Sequence, residues 1–158
     1  MAKKVFEVTM FTFPSLEWFQ ELARLMNENE AAFKRLGYAD VAWAVAVQPS
    51  SPGQPGRHFR LVFEEYGCTS VEELAPGDEA EVAFTMQAMY DTWQEMIRNI
   101  QANNGPDLHH TLNYLALPDD PIYIAAPDFL SRDLFARYGQ TYQLFFNGAV
   151  HVPTVFAM

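Results

Sequence analysis

The sequence predicts one α+β domain over residues 1–158, an antiparallel sheet of about five strands covered on one face by helices. Two observations carry this reading. Residues 41–47 and 58–66 each alternate between two faces, and the ten residues between them hold three prolines and two glycines. Further on, Met86, Met89, Tyr90, Trp93, Met96, Ile97 and Ile100 recur at helical spacing as one apolar stripe.

Taken in order, Pro14-Ser15 marks a helix start with Ser15 as its cap. Leu16, Phe19, Leu22, Ala23 and Met26 follow at helical spacing, widened by Trp18 and Leu25. A second helical piece runs through Phe33 and Leu36, and Gly37 ends it. In the first strand Val41, Trp43, Val45 and Val47 alternate with alanines; in the second Phe59, Leu61 and Phe63 share a face. The two form a hairpin with a long loop. Residues 69–77 read as a turn-rich connection, 81–85 as a third strand, and 86–100 as the long helix. Leu108, Leu112 and Leu115 continue as a short helix after Pro106. Residues 122–125 read as a strand, and Asp128 caps a helix that Gly139 interrupts before Tyr142, Leu144, Phe145 and Phe146. The apolar tail from Ala149 is either an edge strand or loosely packed.

Composition narrows the function. The 158 residues are 49% hydrophobic and 19% charged, so a packed core is within reach. The net charge of −10, with only 10 Lys and Arg, argues against nucleic acid or an anionic membrane surface as partner. No stretch has the length of a membrane span, and Met1–Glu7 lacks the apolar run of a signal peptide. The expected location is cytoplasmic, with Cys68 a plain free thiol.

No catalytic constellation is visible. There is no G-x-S-x-G elbow, no phosphate loop and no dinucleotide fingerprint. His109 and His110 are adjacent, so on a helix they diverge by about 100° and do not share a metal. The expectation is no metal, no cofactor and no catalytic residue. Asp91 and Asp133 lie nearest the apolar stripes as general-base candidates, and both fall on the polar side. The stripe of residues 86–100 reads first as core. Its methionines also make a deformable wall that suits an apolar guest.

An amphipathic first helix followed by three strands, the third running into a long helix through Glu81-Val82-Ala83-Phe84-Thr85-Met86, resembles the sterol carrier protein family, the nonspecific lipid-transfer fold. The resemblance extends from about residue 15 to 146. It implies a sheet, a covering helix and an apolar cavity between them that takes fatty acids, acyl-CoA esters or sterols without covalent chemistry. The family's glycine-lysine strand is replaced here by Asp120-Pro121-Ile122-Tyr123-Ile124.

The leading reading is therefore a single sterol-carrier-like domain for non-catalytic binding or transfer of an apolar small molecule, a fatty acyl chain, acyl-CoA or steroid. Met89, Trp93, Met96 and Ile100 are its expected wall, with Leu112, Phe135, Phe145 and Phe146 opposite. A catabolic enzyme would receive the ligand, and stable membrane insertion is not expected. Two alternatives stay open. One is a small cone-shaped α+β enzyme, an isomerase or dehydratase with an apolar substrate. The other is a domain that forms a homodimer through its aromatic helix.

Overall fold

The computed structural model describes residues 8–78 and 80–158. The segment Met1–Glu7, tested above for a signal peptide, and Glu79 of the acidic run lie outside the described residues. The chain begins with β1 (Phe11–Phe13), α1 (Leu16–Glu28) and α2 (Glu30–Lys34). Then come β2 (Val41–Gln48), β3 (Arg57–Glu64), β4 (Gly67–Leu74), β5 (Thr85–Met89) and α3 (Tyr90–Asn103). A 3-10 turn (Leu108–His110), α4 (Leu112–Leu115), β6 (Tyr123–Ala125), α5 (Phe129–Arg137), α6 (Gly139–Asn147), a second 3-10 turn (Gly148–His151) and β7 (Thr154–Phe156) complete it.

Five strands form one sheet in the order β4-β3-β2-β5-β6. The β2–β3, β3–β4 and β5–β6 pairs are antiparallel, whereas β5 runs parallel to β2. The sheet is thus mixed where the sequence suggested a wholly antiparallel one. The reason is the segment after β4, which crosses from that edge to the far side of β2 instead of turning back beside it. Register places Trp43, Val45, Leu61, Phe59 and Met86 on one face. That face receives the helices: Phe19 of α1 packs on Phe59 at 4.6 Å, and Phe146 of α6 lies between Trp43 at 6.1 Å and Trp93 of α3 at 5.7 Å. The opposite face carries Arg60, whose Nε donates to the Glu81 carbonyl of the crossing segment.

The caps at Ser15 and Asp128 form as expected, accepting from the amides of Trp18 at 3.1 Å and Ser131 at 2.7 Å. Gly37 takes the left-handed conformation expected after α2, with φ +93°. The helix break at Gly139 separates α5 from α6.

Four local expectations shift. Residues 67–74 form a strand, not a connection, because the pattern there belongs to an exposed edge: Cys68 is buried and Val71 half-buried, while Thr69, Ser70, Glu72 and Glu73 face solvent. The strand expected at 81–85 is β5 at Thr85–Met89, and α3 begins at Tyr90, not at Met86. Phe84, Met86 and Ala88 are buried in alternation, which is period two; the Met86–Met89–Tyr90 spacing imitated a helix by coincidence. The short helix after Pro106 is two pieces, with Leu108 exposed and Leu112 buried. Finally, the tail pairs with β1, a strand without sequence signal, in a separate two-stranded parallel sheet.

Candidate functional site

A pocket of about 320 Å³ opens between α1 and α6. Its buried surface comes from Leu22, Met26, Phe33 and Phe145, with Leu25 and Leu144 half-buried beside them. Each is there for a local reason. The stripe of α1 turns Leu22 and Met26 inward, and the short α2 swings Phe33 back against them. Gly148 lets the chain after α6 come close: a Cβ there would stand 3.2 Å from Leu22 Cδ2. The rim is polar, with Glu28, Asn29, Asn147 and His151. Among the described residues neither Lys nor Arg lines the pocket. The arrangement can hold an apolar body through burial and dispersion, with its wettest part at the rim.

Behind Phe145 lies an aromatic cluster around Trp43. The Trp43 ring is 5.3 Å from Phe63, 5.1 Å from Tyr142, 5.8 Å from Phe145 and 6.1 Å from Phe146. Trp43 is fully buried, and among the described residues its Nε1 has no hydrogen-bond partner. The other two indoles are satisfied: Trp18 Nε1 donates to Thr154 Oγ1 and Trp93 Nε1 to the Ala46 carbonyl, both at 3.1 Å. Tyr142 donates its hydroxyl proton to the Leu134 carbonyl at 3.0 Å, and burial pushes its pKa far above the usual phenol range.

The sequence-derived wall residues are distributed as follows. Phe145 lines the pocket. Trp93, Met96, Ile100, Leu112 and Phe146 are buried in the core, Phe135 is partly buried against Tyr142, and Met89 is 42% exposed at the end of β5. Leu22, Leu25, Met26, Phe33 and Leu144 were not singled out as ligand-facing. Their signal, an apolar helical stripe, is the same one that core packing produces.

Of the general-base candidates, Asp91 and Asp133 are both solvent-exposed and away from this pocket. Cys68 is buried, and desolvation pushes its thiol up to about 11, which suits an inert thiol. His110 is held between Asp107, with Nδ1 2.7 Å from Oδ1, and Glu95, with Nε2 3.3 Å from Oε1. Among the described residues no three His, Cys, Asp or Glu side chains are grouped to hold a metal ion, and no helix is long and apolar enough to cross a membrane.

No protein-family model and no curated protein matches the chain. Solved structures do. The chain is similar to a conserved hypothetical protein from Thermus thermophilus that has been suggested as a sterol carrier protein: identity is 22%, 89% of this chain and 90% of that chain are covered, and the TM-score is 0.63. It is also similar to a structure of sterol carrier protein 2, at 24% identity, with 86% of this chain and 95% of that chain covered and a TM-score of 0.59. The likeness is one of architecture, and it gives this chain a sterol-carrier-like α+β fold.

Proposed function

We propose that this protein binds an apolar small molecule reversibly and carries it without chemical change. The observation that supports this most directly is the pocket between α1 and α6, apolar within and polar at its rim. A volume of about 320 Å³ is at the small end of the range for ligand sites and suits a single fatty chain or compact lipid. Each methylene taken from water contributes roughly 0.8 kcal/mol, so a long chain offsets several kcal/mol of association cost. The fold adds support, since its named neighbour is a sterol carrier protein. In this reading Phe145 is a wall residue, and Trp93, Met96, Ile100, Leu112 and Phe146 act from behind by holding the wall in place. Delivery to a catabolic enzyme and a cytoplasmic location belong to the same proposal.

An enzymatic reading finds less support. Among the described residues the pocket holds one carboxylate, Glu28, at an exposed position, and one histidine, His151, also exposed. Neither sits in a water-excluded place, where catalytic acids and bases are usually held.

The test is displacement of a fluorescent fatty acid by unlabelled fatty acids, acyl-CoA esters and sterols. Saturable competition by at least one class is the expected result. Absence of competition by all three up to their solubility limits would overturn the proposal.

A further inference from the structure

The Trp43 indole is a hydrogen-bond donor enclosed by rings, fully buried and without a partner among the described residues. An unmade hydrogen bond at a buried donor costs about 1–3 kcal/mol, so such groups are uncommon in a native core. The two remaining tryptophans show that this chain satisfies its other indoles. Trp43 is also one side chain away from the pocket: Phe145 both lines the pocket and stands edge-to-face on Trp43, at 5.8 Å and 85°.

We propose, resting on the binding function above, that Trp43 Nε1–H is the polar anchor of the ligand. Rotation of Phe145 joins the pocket to the indole, and the N–H then donates to one oxygen of the bound molecule. The surroundings define that oxygen. Phe63, Phe145 and Phe146 carry no polar side-chain atom, the Tyr142 hydroxyl proton is already given to the Leu134 carbonyl, and among the described residues no Lys or Arg lines the pocket. A carboxylate taken there would be buried without a countercharge, which costs far more than one N–H returns. A neutral acceptor is accommodated. The inferred ligand class is therefore an apolar chain or ring system bearing a ketone, ester or ether oxygen, inserted with that oxygen innermost.

Three probes separate the outcomes: a long-chain methyl ketone, the alkane of the same length and the matching carboxylate. Each is titrated into the whole protein while the indole N–H signals are followed by proton–nitrogen NMR, with affinities taken from competition against a fluorescent fatty acid. The ketone should move the Trp43 signal downfield and leave those of Trp18 and Trp93 in place. It should bind about tenfold tighter than the alkane, the factor one net hydrogen bond supplies. Trp43→Phe should bring ketone and alkane to equal affinity. If that variant fails to fold, the wild-type spectra still decide. If ketone and alkane bind alike, or the ketone binds while the Trp43 signal stays fixed, the anchor falls and the binding function stands. The same follows if the N–H already rests on a ring face or a trapped water, because the signal would then ignore the ketone. A carboxylate that moves Trp43 and binds tighter than the ketone overturns the neutral-acceptor assignment. If none of the three binds, the anchor falls, and the binding function falls with it only if acyl-CoA esters and sterols also fail to compete.

Discussion

Asn27 and Cys68 exchange two hydrogen bonds: Asn27 Nδ2 donates to the Cys68 carbonyl at 2.9 Å, and the Cys68 amide donates to Asn27 Oδ1 at 2.8 Å. Cys68 lies on β4, one of the two edge strands of the sheet. The Asn27 side chain thus occupies the place of one residue of a neighbouring strand and ties the end of α1 to that edge. Exposed edges invite pairing with other chains, and this pair closes part of one.

The Asn27 contact leaves no room at Gly67, where a Cβ would lie 2.5 Å from Asn27 Oδ1. Gly67→Ala should destabilise the fold by about 1–2 kcal/mol by displacing the amide, and Asn27→Ala by a similar amount through two unmade bonds. The double variant should cost less than the sum, since the clash disappears with the side chain. Urea unfolding midpoints of the three variants measure this; simple additivity would show that the two positions do not touch.

Leu25 is half-buried at the pocket, so a larger side chain there reaches into the empty volume instead of the core. Leu25→Trp should weaken fatty-acid displacement at least tenfold while shifting stability by less than about 1 kcal/mol. Competition binding and thermal unfolding on one sample check both halves. Unchanged affinity would remove this pocket from the function.

Trp93 is fully buried, stacked on Phe146 and hydrogen-bonded to the Ala46 carbonyl. Trp93→Leu should cost about 3 kcal/mol through lost volume and the lost bond. Binding by the remaining folded protein should follow wild type across a panel of chain lengths. A changed length preference would instead make Trp93 part of the wall.

His110 sits between Asp107 and Glu95, and the hydrogen bond to Asp107 raises its pKa above the ordinary 6.5. The same bond lowers the pKa of Asp107 below its ordinary 3.8. A raised histidine stabilises the fold fully below 6.5 and loses that contribution as pH rises through the folded value. The Asp107 contribution is present above 3.8 and is lost as pH falls through its lowered value. The stability difference between wild type and His110→Gln should therefore be largest near pH 5 and shrink towards pH 8, by a modest amount because the cluster is solvent-exposed. Chemical unfolding at several pH values tests it; a difference that grows with pH would contradict the clamp.

Much of the architecture was legible because local chemistry and tertiary structure agree. Ser15 and Asp128 are caps by side-chain type alone, and the valines of 41–47 alternate with alanines in the strand they form. The failures have physical causes. Thr69–Leu74 is a solvent-facing edge, so it lacks the alternation of a half-buried strand. Met86 and Met89 fit a helical spacing while lying on β5. The parallel β2–β5 pairing comes from the path of the chain between distant strands, which no local pattern encodes. At the site, Leu22 and Met26 could be read only as apolar, and whether such a residue faces a core or a pocket depends on how α6 meets α1. The unpartnered state of Trp43 Nε1 is likewise a property of its neighbours, not of its own residue type.

The small parallel sheet of β1 and β7 has a mechanical consequence. Phe11 N donates to the Pro153 carbonyl at 2.8 Å and Ala157 N to the Phe13 carbonyl at 3.1 Å, so two segments from opposite ends of the described chain are stitched side by side and point the same way. Tension applied through the chain entering β1 and the chain leaving β7 pulls the strands past each other lengthwise. The hydrogen bonds then share the load at once instead of opening singly like a zipper. The aromatic ring of Phe13, packed at 4.8 Å on Trp18 and at 6.1 Å on Phe156, must slide out with them. Under stretching force the first element to yield is therefore a shear-loaded clasp, and the sheet and helices behind it feel no tension until the clasp gives way.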